Sequence, residues 1–335
     1  MRLRPTDDQQ LLTAAVRDFL TVEASADRVR ATWQAGGHDA ARWKGLADLG
    51  VLGVTIPEAA GGLGLGDLDL VGPLIEAGRA ALPEPLAEVA AVAAPLLVDA
   101  GGEAAEAWLP RIATGDAVVV ACLPSDPFPA HVAGSDLLLV ADGETIRAVP
   151  TAEAAWTAQP TLDGGRPTVR LDTVPDGEGV ASGPEARALT AKAERRLAVA
   201  TAAQLVGVGE AAIDLAVAHA GTREQFGRPI GAFQAVKHHL ADALVGVRFA
   251  LPLVERAAHS VAIDDPGAGV HTALAKATAG EAAEAAVEHA LQVHGAIGYT
   301  WECDLHLWLK RAYALLPVGG DLESSWQQIE HHLLP

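Results

Sequence analysis

Two short stretches of this 335-residue chain concentrate side chains able to hold a ligand. The first reads Arg223-Glu224-Gln225-Phe226-Gly227-Arg228-Pro229-Ile230-Gly231-Ala232-Phe233-Gln234-Ala235-Val236-Lys237-His238, and the second Leu291-Gln292-Val293-His294-Gly295-Ala296-Ile297-Gly298-Tyr299-Thr300-Trp301-Glu302. An arginine such as Arg223 presents a planar fork of donors that matches a diphosphate. The amides of Gln225, Gln234 and Gln292 both donate and accept, which suits sugar hydroxyls and ring nitrogens. Gly295 lets backbone approach an anionic group closely. Taken singly, the same residues also describe a helix–turn–helix corner, with Phe226 and Ile230 in the core and Arg223 and Gln234 in solvent.

Other candidate groups carry less chemistry. Gly62, Gly64 and Gly66 follow Ile56-Pro57-Glu58-Ala59-Ala60-Gly61, but no strand precedes them and their spacing is not that of a dinucleotide fingerprint, so a structural loop is expected. The pairs His238-His239 and His331-His332 are adjacent and point in different directions on a helix, so no metal site is expected. Cys122 and Cys303 stand far apart in different elements and read as free thiols of a reducing compartment.

The whole-chain charge narrows the field of partners. Forty-three acidic residues against 24 basic ones leave a formal net charge of −19, a field that repels nucleic-acid backbones and anionic lipid surfaces. An anionic ligand can bind only where local arginines or helix N-termini override that field. No apolar h-region follows Met1, and no uninterrupted apolar run reaches the length of a membrane span, so a soluble, cytoplasmic protein is expected.

The elements that must position these residues follow from composition and period. Half the residues are hydrophobic but only 4% aromatic, which favours long, closely packed helices, and 335 residues suggest two or three packed units. Thr6 with Gln9 forms a capping-box pattern before a helix carrying Leu12, Val16 and Phe19-Leu20. Helices are expected over 39–49, ended by Gly50, and over 68–80, 84–100 and 102–114. At Asp116 the texture changes to short β-type runs over 118–122, 137–141, 145–149 and 168–173, separated by Pro, Gly and Asp. From Pro184 the chain is helical again: an Ala-rich helix over 191–220, and a second containing Val236, Leu240, Leu244, Val247, Leu251 and Val254, kinked by Pro252. A third covers 270–293 and a fourth 305–315. The expected organisation is an N-terminal helical domain (1–115), a reduced β domain (116–183) and a C-terminal four-helix bundle (184–335).

The two stretches quoted first closely resemble signature segments of the acyl-CoA dehydrogenases. The Pro57-Glu58-x-x-Gly61-Gly62-Leu63-Gly64 run resembles that family's N-terminal domain. The resemblance implies a mainly α fold with a small central β domain, and FAD shared across a subunit interface. By position it assigns Arg223, Gln225, Phe226, Ile230, Gln234, Gln292 and Gly295 to the pyrophosphate–adenosine half of FAD held in the neighbouring subunit. Gly295-Ala296 departs mildly from the two adjacent glycines frequent there.

Larger departures lie elsewhere. The family's Thr-Glu-Pro-x-x-Gly-Ser-Asp flavin loop is replaced by Cys122-Leu123-Pro124-Ser125-Asp126-Pro127-Phe128-Pro129, and its Trp-Ile-Thr strand is expected to be deleted. Removing a proton alpha to a thioester carbonyl needs a poised carboxylate. The family's two positions for it fall on Leu197 and Gly319, neither acidic, leaving Glu194, Asp321 and Glu323 as the nearby carboxylates. The chain is also short. Together these features resemble the short, degenerate subunit of heteromeric actinobacterial steroid-type acyl-CoA dehydrogenases. That resemblance implies an α2β2 assembly in which a full-length partner supplies flavin cradle and catalytic Glu for a bulky, steroid side-chain acyl-CoA. An FAD-free acyl-CoA lyase or isomerase and a purely structural partner are the alternatives.

Overall fold

The computed structural model describes residues 5–334; expectations for the residues just after Met1 and for Pro335 lie outside them. Thr6 Oγ1 accepts from the Gln9 amide at 3.2 Å while Gln9 Oε1 accepts from the Thr6 amide at 2.9 Å, and this capping box opens α1 (Asp7–Glu23). After α2 (Ala26–Gln34), the Asp39 carboxylate accepts from the amides of Ala41 and Arg42 to start α3 (Ala40–Asp48), and Gly50 at φ 76° lets the chain turn away. Then follow α4 (Val71–Arg79), a π-helical segment (Ala87–Ala93) running into α5 (Ala94–Ala100), and α6 (Gly102–Ala113). Between α3 and α4, Gly62 lies against Ile56, whose carbonyl oxygen would be 2.1 Å from an added Cβ. The glycine-rich stretch is thus a packed loop.

A buried ion pair ties these helices together. Arg42 donates from Nε to Glu84 at 2.7 Å, from Nη2 to Glu84 at 2.9 Å and to Thr32 at 2.6 Å, and from Nη1 to the Glu23 carbonyl at 2.8 Å. Both charged side chains are fully buried. Such complete hydrogen bonding is what makes a desolvated pair tolerable.

Six strands follow: β1 (Val119–Cys122), β2 (Leu137–Ala141), β3 (Thr145–Pro150), β4 (Ala155–Gln159), β5 (Thr168–Thr173) and β6 (Glu178–Ser182). Four form a sheet in the order β1-β2-β3-β6, parallel between β1 and β2 and antiparallel elsewhere, while β4 and β5 pair as a separate ribbon. β2, Leu-Leu-Leu-Val-Ala, is buried along its whole length. The strands β4 and β6 were not expected. Ala-Trp-Thr-Ala-Gln and Glu-Gly-Val-Ala-Ser lack an alternating apolar face and are largely exposed, so backbone pairing with β5 and β3, not side-chain burial, makes them strands.

The last part comprises α7 (Gly183–Thr222), the two-residue strands β7 (Glu224–Gln225) and β8 (Arg228–Pro229), α8 (Gln234–Ala262), α9 (Ala268–His294), α10 (Leu305–Leu315) and α11 (Leu322–Leu333). The expected four long helices are three, of 40, 29 and 27 residues, with the fourth place divided between α10 and the unanticipated α11. Gly319 at φ 70° and Gly320 at φ 105° separate those two. Helix α8 continues past Pro252 to Ala262. Among the described residues α7 alone is long and apolar enough to cross a membrane, but 89% of its most apolar 18-residue stretch is buried in the protein. It crosses α4 at facing glycines: a Cβ at Gly78 would lie 2.1 Å from the Gln204 carbonyl oxygen, and one at Gly207 1.9 Å from that of Ile75.

Helix α10 joins all three parts. Trp308 Nε1 donates to the Arg79 carbonyl at 2.8 Å and Arg311 Nη1 to that of Leu82 at 2.7 Å. Arg311 also pairs with buried Asp163 beside the β4–β5 ribbon, and Asp304 pairs with Arg30 of α2.

Candidate functional site

The turn after α7 is built by backbone geometry. The Arg223 amide donates to the His219 carbonyl at 2.9 Å, and the Arg223 carbonyl accepts from the Ile230 amide at 2.8 Å. Between these, Gln225 pairs with Arg228 across a tip formed by Phe226 at φ 53° and Gly227 at φ 77°. The second motif reaches this turn through His294, whose ring stacks on His219 at 4.4 Å. Burial, then the neighbouring His294 and Arg223, hold the His219 proton affinity below the usual range. Ile230 and Leu291 pack with Ala216, Ala220 and Ala290 in a small core of their own.

Around this anchored base, the ligand-binding candidates point outward. Arg223, Gln225, Gln234 and Gln292 are exposed, and among the described residues the Arg223 guanidinium has no carboxylate partner. Gly295 ends α9 at φ 63°, and a Cβ there would meet nothing within 4 Å, so its backbone is open to approach. Phe226 is not core, as a simple helix corner would require: it is 92% exposed and edge-on to Phe233, over which Arg228 lies at 4.1 Å. The structure therefore brings all seven candidates to one end of the bundle, with Ile230 as their half-buried anchor.

A cleft of about 930 Å³ lies apart from this end, between the loop after β1, the β4–β5 connection, α7 and the α10–α11 junction. Glu194 lines it, with Oε1 accepting from the Ser125 amide at 3.1 Å. Asp321 also lines it, but as the N-cap of α11, accepting from the Ser324 amide at 2.7 Å, which holds its carboxyl below the ordinary range. Glu323 is exposed, accepts from Gln327 at 3.2 Å, and does not line the cleft.

The two positions at which the resemblance expects a base meet in space. A Cβ at Gly319 would sit 2.6 Å from Ala198 Cα and 3.1 Å from the Leu197 carbonyl carbon. The α10–α11 junction thus lies directly on α7, leaving no room for a side chain at Gly319, while Leu197 is buried against it.

Sequence reasoning missed two residues of this cleft. Asp126 is half-buried at its wall, and burial pushes its carboxyl above the ordinary range despite nearby Arg166. Arg166 is 5% exposed, lines the same cleft, and pairs with Glu88 at 2.8 Å. Beneath them His131 is buried and its pKa is pushed down to about 4, by burial first. Nothing in a Pro-Ser-Asp-Pro loop and a Gly-Gly-Arg-Pro turn 40 residues later signals that they share a cavity.

An N-terminal helical part, a small sheet, and a helical bundle with this corner motif define an acyl-CoA dehydrogenase. The chain belongs to that family: residues 6–116 match its N-terminal domain and residues 188–334 its C-terminal domain. It is 32% identical over 329 residues to the acyl-CoA dehydrogenase IpdE2 of Mycolicibacterium smegmatis, covering 97% of this chain and 98% of that protein. Among solved structures it is similar to the Tcur3481-Tcur3483 steroid ACAD (27% identity, TM-score 0.86, 98% of both chains). It is likewise similar to the ChsE4-ChsE5 complex from Mycobacterium tuberculosis (25% identity, TM-score 0.86, 99% of both chains). It is thus an oxidoreductase of the acyl-CoA dehydrogenase type, whose cofactor is FAD. The donor set at the α7–α8 corner suits a diphosphate nucleotide: an uncommitted guanidinium, exposed amides and an open glycine backbone.

Proposed function

We propose that this chain is one subunit of a heteromeric, α2β2 acyl-CoA dehydrogenase acting on a bulky, steroid-type acyl-CoA. Arg223, Gln225, Phe226, Ile230, Gln234, Gln292 and Gly295 hold the pyrophosphate–adenosine half of an FAD whose flavin ring rests in a full-length partner. That partner also supplies the catalytic Glu. When bound, FAD would supply the hydride acceptor for Cβ of the acyl-CoA. This chain's residues bind and orient the distal half of the cofactor.

One observation carries the reading: the junction backbone at Gly319 rests on α7 beside buried Leu197, so one expected base position has no room for a side chain and the other holds an apolar one, while the clamp corner remains open. An Arg223 with no carboxylate partner among the described residues and an exposed Phe226 at that corner of a chain of charge −19 favour an FAD-binding role over an FAD-free one. The named heteromeric complexes among its structural neighbours support the same reading. Co-expression with a full-length acyl-CoA dehydrogenase subunit, followed by a flavin spectrum and sedimentation, tests it. The expected result is a yellow complex with one FAD per heterodimer and little FAD on this chain alone. Stoichiometric FAD on a homo-oligomer of this chain would overturn the division, and a colourless but assembled complex would point to an FAD-free lyase or isomerase.

A further inference from the structure

Three helix ends meet at the clamp corner, and two of them disfavour an anion. Helix α7 ends at Thr222 and α9 at His294, so both present their carbonyl, partially negative ends there, while α8 begins at Gln234 with its positive end. Each of the two negative ends carries a histidine in its last turn, His219 on α7 and His294 on α9. Their rings stack at 4.4 Å with planes 21° apart. His294 Nδ1 donates to the Ala290 carbonyl at 2.8 Å, which fixes one proton on that nitrogen and leaves Nε2 as the place for a second. Among the described residues neither the His219 ring nor His294 Nε2 has a hydrogen-bond partner, and no carboxylate stands within ion-pair distance of either ring. Backbone ties the pair into the clamp on both sides: the His219 carbonyl accepts from the Arg223 amide at 2.9 Å, and His294 directly precedes Gly295.

We propose that His219 and His294 act as one proton-binding unit of the clamp, taking up a proton from solvent when the cofactor's diphosphate arrives. This inference rests on the reading of the corner as an FAD clamp. One added proton places an imidazolium at the two negative helix ends, offsets their repulsion of the diphosphate, and adds a second cation behind Arg223. A second proton is disfavoured, because two charged rings would then lie face to face. In the free corner, burial and then His294 and Arg223 hold the proton off His219. An arriving diphosphate reverses that balance, since an opposite charge favours the protonated form. Other ionisable groups near the pair are few. From α8 and α9 the next are His239 and His289, joined Nδ1 to Nδ1 at 2.8 Å, and beside α10 the neighbouring core offers the Cys303 thiol among apolar Leu305 and Leu309.

The test is FAD titration of the apo form of the co-expressed complex from about pH 6 to about pH 8.5, beside calorimetry in two buffers of different ionisation enthalpy, which counts protons. The diphosphate keeps its charge across this range. Because the bound state holds more protons, affinity is greatest at low pH and falls as pH rises. A tenfold gain in the pair's proton affinity gives a Kd that rises about fivefold over the range, with a fraction of a proton taken up per FAD below about pH 7. Replacing both rings, His219→Phe with His294→Phe, keeps an aromatic stack without a proton site. Its Kd should be flat with pH and near the wild-type value at about pH 8.5. Absence of proton uptake in the wild-type complex overturns the proposal. So does a slope unchanged in the double variant, which would place the titration at His239 and His289 or in the partner. Should the double variant not assemble, His219→Gln and His294→Gln must each reduce the proton count for the proposal to stand. A flat wild-type profile with FAD binding still weakened in Arg223→Ala removes only the proton-binding unit, whereas undiminished binding in Arg223→Ala removes the clamp itself.

Discussion

Substitution of Arg223 by Ala tests the clamp at its most charged point. The side chain is exposed and uncommitted, and the hairpin is held by the backbone amide and carbonyl of residue 223, not by its guanidinium. Removing the side chain therefore leaves the turn, the His219–His294 stack and the local core intact. A charge-assisted, bidentate contact to a diphosphate contributes roughly 1.5–3 kcal/mol. At about 1.4 kcal/mol per decade, FAD affinity of the co-expressed complex should fall about 10- to 100-fold. The protein's negative field argues for the upper end, because at this corner, among the described residues, the other guanidinium, that of Arg228, is already placed over the Phe233 ring. Arg223→Lys should recover part of the loss, since a point charge cannot reproduce the planar fork. Flavin loss should also weaken the heteromer by linkage, because FAD spans both subunits in this reading. The assay is FAD titration of the apo-complex beside sedimentation, with the melting temperature of this chain as control. Undiminished FAD affinity in Arg223→Ala would reduce the motif to a helix corner and remove the basis for the clamp.

Two further outcomes follow from the carboxylates near the expected base positions and from a buried histidine. Glu194→Gln, Asp321→Asn and Glu323→Gln should each leave turnover largely intact. An essential general base typically contributes on the order of 10²–10⁴-fold, and a loss of that size at unchanged FAD content would move the base into this chain. His131, with a folded pKa of about 4 against about 6.5 when unfolded, is neutral in the native protein. The unfolded chain takes up its proton first, so stability should fall as pH drops from about 6.5 to about 4, by on the order of 3 kcal/mol from this residue. Urea unfolding across that window should show the slope reduced in His131→Asn, a residue that tolerates the φ of 64° found there; an unchanged slope would place the acid sensitivity elsewhere.

The parts of the fold legible in the sequence are those where one local rule acts alone. Thr6 with Gln9, Asp39, and Gly50 mark helix ends through their own backbone bonds, and Leu137 to Ala141 announces a buried strand by apolarity. The strands β4 and β6 escaped because they exist through pairing with a neighbour and carry no apolar period. Helix α11 escaped because its capping Asp321 was weighed as a catalytic carboxylate, although Asp321 and Ser324 form an ordinary N-terminal cap. At the site, the corner motif could be quoted residue by residue since it lies in two continuous segments. Asp126, Arg166 and Glu88 come from three distant segments, and their approach depends on packing of the β4–β5 connection, which no short pattern encodes.

The distribution of cations favours the corner as the place where the proposed clamp would take an anionic cofactor. Through most of the described residues, arginines are spent on carboxylates of the same chain: Arg17 on Glu76, Arg42 on Glu84, Arg79 on Glu210 and Asp214, Arg196 on Asp67 and Asp99, Arg311 on Asp163. These pairs hold distant parts of the chain to one another and leave no excess of positive charge. Within the sixteen residues from Arg223 to His238, by contrast, Arg223, Arg228 and Lys237 have no carboxylate within ion-pair distance among the described residues, and Glu224 is the segment's one acidic residue. A Debye length of about 8 Å at physiological ionic strength confines the repulsion of distant carboxylates. The local excess of positive charge therefore governs what approaches this turn, even in a protein of charge −19. A carboxylate introduced into the segment, such as Gln225→Glu, would cancel part of that excess without touching the fold. If charge, as opposed to shape, governs the proposed clamp, Gln225→Glu should lower FAD affinity of the co-expressed complex, and an unchanged affinity would refute that reasoning.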